Sequence, residues 1–236
     1  MNLRHLKYLL LTLPMALLTS CSESSDDEEE YPSDWQATNA AYFDRIYSSA
    51  RQSAEAGDAT WKVIRNFSLQ QPEAIPASHQ GEYIVAHEIV KGSGPGCPLF
   101  SDTVMIHYQG RLLPSKSYPE GLVFDGTWTT GELNLATAAP RKMGVYYTQT
   151  YNATNKSYST STIIDGFSTA LQHMHVGDRW QVYIPQQLGY KTETSGSIPA
   201  YSTLIFDITL MAYYHPGAVV PEWRANNALW DEEAAE

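Results

Sequence analysis

Apolar residues first recur at helical spacing between about Asp34 and Ala56, where Phe43, Ile46, Tyr47 and Ala50 fall at i, i+3, i+4 and i+7. Ser33 or Asp34 can cap that helix, and Gly57 ends it. Residues 58–70 carry Trp61, Ile64 and Phe67 and fit either a short helix or an irregular packed segment. QPEAIPASHQG, with two prolines, reads as a linker, so the main domain boundary is expected there. From Glu82 onward the period changes to two. EYIVAHEIVKG, TVMIHYQGRL, RWQVYIP and STLIFDITLMAYY each alternate, as in Val104, Ile106 and Tyr108 against Met105, His107 and Gln109. One helix candidate, IIDGFSTALQHMHVGD, interrupts them at 163–178. This layout predicts an α+β fold, an antiparallel sheet wrapped on one short helix and preceded by an N-terminal helical segment. The expected units are the helical segment with its linker over 34–80, a domain over 81–215 and a tail over 216–236.

Charge sharpens this division. The formal net charge is -11, but residues 22–30 hold six acids and no base, and 217–236 hold five acids and one Arg. Residues 31–215 carry 15 acids against 12 bases. The acidity belongs to the ends, and without a Lys/Arg field a nucleic-acid partner is not expected. Upstream, MNLRHLKYLLLTLPMALLTSCS has a basic start at Arg4 and Lys7, then an apolar run from Tyr8 to Leu18 that suits a signal peptide. Its end, Leu18-Thr19-Ser20-Cys21, resembles a bacterial lipobox. That resemblance implies a signal peptide over 1–20, lipidation of Cys21, an acidic tether over 21–33, and an outer-membrane anchor facing the periplasm or the cell surface. With Cys21 acylated, Cys97 has no intrachain partner. It lies in the Gly/Pro loop GSGPGCPLFSD, where no nearby base is evident to activate it.

Five short signatures then follow in order: VMIHYQGRL, LVFDG, IIDGFSTALQHMHVGD, VYIPQQLGY and SIPAYSTLIFDITL. Together, over roughly residues 82–214, they resemble the FK506-binding-protein family of peptidyl-prolyl cis–trans isomerases. The resemblance implies an apolar pocket for a proline ring, lined by Tyr108, Phe124, Ile163, Phe167, Ile198 and Phe206. It also implies that Asp125 fixes the Tyr108 hydroxyl, and that the backbone N–H of Ile164 and the hydroxyl of Tyr190 donate to substrate carbonyls. Proline-containing polypeptides and an FK506-type macrolide are the implied ligands, with no cofactor. Planarity of the X–Pro amide imposes a barrier of roughly 18–20 kcal/mol. An apolar cage with fixed donors lowers it by favouring the twisted, less polar amide.

The chain departs from the family pattern in four places. Phe167 stands where the family usually has Trp. Thirty-eight residues separate Phe124 from Ile163, and the added stretch 136–161 is rich in Tyr, Thr, Ser and Asn, fitting a hairpin or a surface loop. Leu133, Leu135 or Met143 is expected to supply the wall residue the insertion hides. The flap between Tyr190 and Ile198 is the small KTETSGS. His173 and His175, two residues apart, do not converge on one ion, so no metal site is expected. The apolar stripe of the N-terminal helix is a candidate surface for pairing two chains.

Overall fold

Residues 29–69, 80–135 and 137–223 are described by the structure, a computed structural model. The expected signal peptide, Cys21, most of the tether, most of the two-proline linker and residues 224–236 of the tail lie outside them. Helix α1 (Trp35–Glu55) is followed by β1 (Trp61–Arg65), β2 (Tyr83–Val90), β3 (Thr103–Arg111), β4 (Val123–Gly126) and β5 (Arg141–Gly144). Next come β6 (Tyr147–Asn152), β7 (Ser157–Thr162), helix α2 (Asp165–Leu171), β8 (Arg179–Ile184) and β9 (Leu204–Tyr214). The main sheet is antiparallel in the order β1-β2-β8-β9-β3-β4, with β5 on the same outer edge of β3 as β4. This is the expected α+β architecture.

Side-chain alternation explains how two helices use one sheet. Tyr183 meets Tyr42 of α1, with ring centroids 6.3 Å apart, and Tyr83 meets Tyr47 at 6.0 Å. The next residue on β8, Ile184, points the other way, and a Cβ on Gly166 of α2 would lie 2.4 Å from it. Successive strand residues face opposite sides, so α1 covers one face and α2 the other. That is why Tyr83, Ile84, Val85 and Ala86 are all buried where a one-sided sheet would alternate. Phe43, Tyr47 and Ala50 of α1 are buried with them. The buried part of the stripe that is a candidate for pairing two chains packs against this chain's own sheet.

Two expectations change. Residues 61–65 are neither helical nor irregular: they form an edge strand in register with β2, from Trp61 opposite His87 to Arg65 opposite Tyr83. The sheet therefore continues across the expected domain boundary. The inserted stretch also divides, since β5 joins the main sheet while β6 and β7 form a separate hairpin, Tyr147 opposite Thr162 to Asn152 opposite Ser157. Asp34 takes the N-cap position of α1 but makes no side-chain cap bond; Thr38 N–H donates to its carbonyl instead.

Candidate functional site

Four aromatic rings from three strands and α2 meet on the α2 side of the sheet. Phe206 of β9 is central: its centroid lies 4.9 Å from Phe167, 5.5 Å from Phe124 and 6.4 Å from Tyr108. The first two contacts are edge-to-face, and Phe167 meets Tyr108 in the same way at 5.7 Å. Such pairs add about 0.5–1.5 kcal/mol each beyond area burial, so the rings form a rigid wall. Tyr108, Phe167 and Phe206 are at most 5% exposed, while Phe124 is half-buried. Ile198 is buried in the same apolar cluster, and Ile163, Ile164 and Tyr190 are half-buried against it.

Register and small residues bring these rings together. Gly110 stands opposite Phe206 on β9 and Asp125 on β4, so no side chain on that face of β3 separates the Phe124 and Phe206 rings. Helix α2 sits close because Gly166 lies against Ile184. It is also pinned at both flanks. The Ser168 hydroxyl donates to the Val145 carbonyl (2.6 Å), and Phe67 N–H donates to the Thr169 hydroxyl (3.2 Å). Segments on either side of the site thus fix the floor residue Phe167.

The polar rim is specific. The Tyr108 hydroxyl donates to Asp125 Oδ2 (2.6 Å), the contact expected from the sequence. It also accepts from Arg141 Nη1 (2.6 Å), whose guanidinium lies 5.8 Å over the Tyr108 ring and 3.5 Å from Asp125. Burial, then the Asp125 hydrogen bond and charge, push the Tyr108 phenol far above its ordinary range, so it stays protonated and donating. The Arg141–Asp125 ion pair is half-exposed on both sides and contributes about 0–1 kcal/mol. Its role is orientation. Sequence reasoning missed Arg141, sixteen residues downstream of Asp125; the available signal was the need of a carboxylate beside aromatic rings for a cation.

Two donors remain unspent. Among the described residues, neither the Ile164 N–H, at the N-cap of α2, nor the Tyr190 hydroxyl has a hydrogen-bond partner. An open depression of about 500 Å³ is lined by Tyr31, Tyr118, Leu122, Thr194, Ser197 and Pro199, among others; none of the four rings lines it.

The remaining candidates separate cleanly. Met143 packs half-buried against the core, whereas Leu135 is exposed and Leu133 only half-buried outside the core cluster. His173 Nδ1 lies 2.8 Å from the Thr169 carbonyl. His175 lies elsewhere, its Nε2 3.8 Å from Cys97 Sγ. Cys97 therefore does have a base beside it, contrary to the sequence reading. Burial and the nearby charge of Asp178 nevertheless push its thiol up, away from the thiolate. Among the described residues no three His, Cys, Asp or Glu side chains cluster as a metal site.

Comparison with known proteins follows the same lines. Residues 98–211 match the family model for FKBP-type peptidyl-prolyl cis-trans isomerase. The chain is 31% identical over 152 residues to a macrophage infectivity potentiator of Trypanosoma cruzi, covering 64% of this chain and 63% of that one. It is 31% identical over 124 residues to the FKBP-type 22 kDa peptidyl-prolyl cis-trans isomerase of Escherichia coli K12, covering 52% and 46%. It is 27% identical over 197 residues to the outer membrane protein MIP of Legionella longbeachae, covering 83% and 68%. The chain spans less than two thirds of the length of the first two.

Proposed function

We propose that the chain, whose residues 98–211 match the family model for FKBP-type peptidyl-prolyl cis-trans isomerase, belongs to that family and catalyses cis–trans isomerisation of X–Pro bonds in polypeptides. One observation carries the proposal: four packed rings beside two unspent donors, the Ile164 N–H and the Tyr190 hydroxyl. The rings, with Ile163 and Ile198, receive the proline and keep water from the amide. As the C–N bond twists, resonance is lost and the carbonyl dipole turns. The Ile164 N–H and the Tyr190 O–H donate to that carbonyl and its neighbour in the rotated geometry, which lowers the barrier without a covalent step. Asp125, tied to Tyr108 and Arg141, holds the rim in shape and adds a fixed field. A macrolide of FK506 type fills the same pocket and inhibits.

The site of action proposed is the bacterial envelope, through a lipid on Cys21 at the outer membrane, assisting the folding of exported proteins. The signal-like first 20 residues, the lipobox-like end at Cys21 and the name of the Legionella relative, an outer membrane protein, support this. The test uses soluble protein starting at Ser22 and a proline tetrapeptide. Accelerated isomerisation that falls with Asp125→Ala and Phe206→Ala supports the reading; background rates in all three overturn it.

A second reading rests on the β6–β7 hairpin. Its exposed Tyr158, with Gln149, Thr160 and other hydroxyl residues, forms an adaptable polar surface suited to peptide contact. In this reading the domain works mainly as a binding module or chaperone. Partner capture undiminished by deletion of the hairpin argues against it.

A further inference from the structure

The matched family region begins at residue 98, yet the loop that carries Ile198 is held by residues far upstream of it. Trp35 Nε1 of α1 donates to Ser202 Oγ (3.0 Å), and Ser202 Oγ donates to the Pro199 carbonyl (2.7 Å). One turn along the helix, Asn39 Oδ1 accepts the backbone N–H of Thr203 (2.7 Å), and the Thr203 hydroxyl donates to the Asn39 carbonyl (3.2 Å). Asn39 Nδ2 closes the unit by donating to the Trp35 carbonyl (2.7 Å). Trp35, Asn39, Ser202 and Thr203 are all at most 7% exposed, so water does not replace these bonds if one partner is lost.

The loop itself is short of other restraints. Ser195 and Ile198 exchange backbone bonds across a four-residue turn, and Tyr201 N–H donates to the Lys191 carbonyl (2.8 Å). Tyr201 also sits at φ 65, a left-handed conformation that a non-glycine residue keeps only where its surroundings hold it. The clamp from α1 grips the chain one and two residues beyond Tyr201, and four and five beyond the pocket residue Ile198.

We propose that Trp35 and Asn39 are positioning residues: α1 holds the 199–203 turn, and through it sets Ile198 against the aromatic wall. On the isomerase reading, on which this rests, they fix the width of the proline pocket. The N-terminal helix is then a working part of the site and not a separate appendage.

The test compares three variants of the full chain. Asn39→Leu removes the acceptor for Thr203 N–H at similar size, and Asn39→Asp keeps it. Ala50→Gly loosens the same helix far from the loop. Turnover of a proline tetrapeptide and amide hydrogen exchange at Ile198 and Tyr201 are measured under conditions where all remain folded. We expect Asn39→Leu to lower kcat/KM by about tenfold or more and to speed exchange at both amides. Asn39→Asp recovers most of each, and Ala50→Gly changes neither. Asn39→Leu behaving like Ala50→Gly, or losing activity with exchange unchanged, overturns the proposal. If the unaltered chain shows no catalysis, the isomerase reading fails by itself. The exchange comparison then decides the clamp: faster exchange in Asn39→Leu alone upholds it, and equal exchange refutes it.

Discussion

Adding one methyl group at Gly110 tests whether the spacing of the pocket rings matters. A Cβ there would lie 2.5 Å from Phe206 Cε1, and 2.6 and 2.7 Å from Cζ and Cε2 of Phe124. Carbon atoms pack best at about 3.5–4.0 Å, so the rings must retreat by about 1 Å. Phe206 is held edge-on by Phe167 and is 5% exposed, so the half-buried Phe124 moves more. Overpacking of this kind costs about 1–3 kcal/mol of stability. A displacement of about 1 Å at a positioned site can cost about 100-fold in rate. Gly110→Ala should therefore remain folded, with a modestly lowered urea midpoint, while kcat/KM for a proline tetrapeptide falls by about one to two orders of magnitude. A folded Gly110→Ala chain with the unaltered rate would show that the Phe124–Phe206 spacing does not govern catalysis.

Three further outcomes follow from other contacts. Tyr108→Phe removes the hydroxyl shared by Asp125 and Arg141, and urea unfolding should show a loss of about 1 kcal/mol, with activity reduced; no change in either would make that network incidental. Burial lowers the His107 pKa from its ordinary 6.5, so the unfolded chain takes up a proton at a pH where the folded chain does not. Stability should fall as pH drops below about 6.5, and His107→Gln should reduce that slope in urea midpoints measured from pH 8 to 5. Replacing residues 148–161 by a short Gly-Ser turn should leave tetrapeptide turnover intact, since β6 and β7 pair only with each other; a loss of turnover would assign the hairpin to the catalytic site.

Most of the sheet was legible because strands β2, β3, β8 and β9 carry period-two patterns or continuous apolar runs. β1 was not, for a physical reason: all five of its residues are half-exposed at a sheet edge, so no burial alternation marks it. Its pairing with β2 is also non-local, reaching across the two-proline linker. The α1 stripe was readable, but a stripe does not say what covers it. The buried Asn39, between Trp35 and Phe43 on the apolar face, was the sequence sign of a specific polar dock. In the site, local motifs located the rings and Asp125. Arg141 escaped because it lies sixteen residues from Asp125, within the added stretch and outside every motif. Cys97 and His175 meet although seventy-eight positions apart, which no local pattern reveals.

The central claim is most directly tested by NMR exchange spectroscopy of a proline peptide with a substoichiometric amount of the chain. The account predicts cis–trans exchange far faster than in the free peptide, abolished by an equimolar FK506-type macrolide and strongly slowed by Phe206→Ala. Exchange at the free-peptide rate, or acceleration indifferent to both the macrolide and Phe206→Ala, would contradict it.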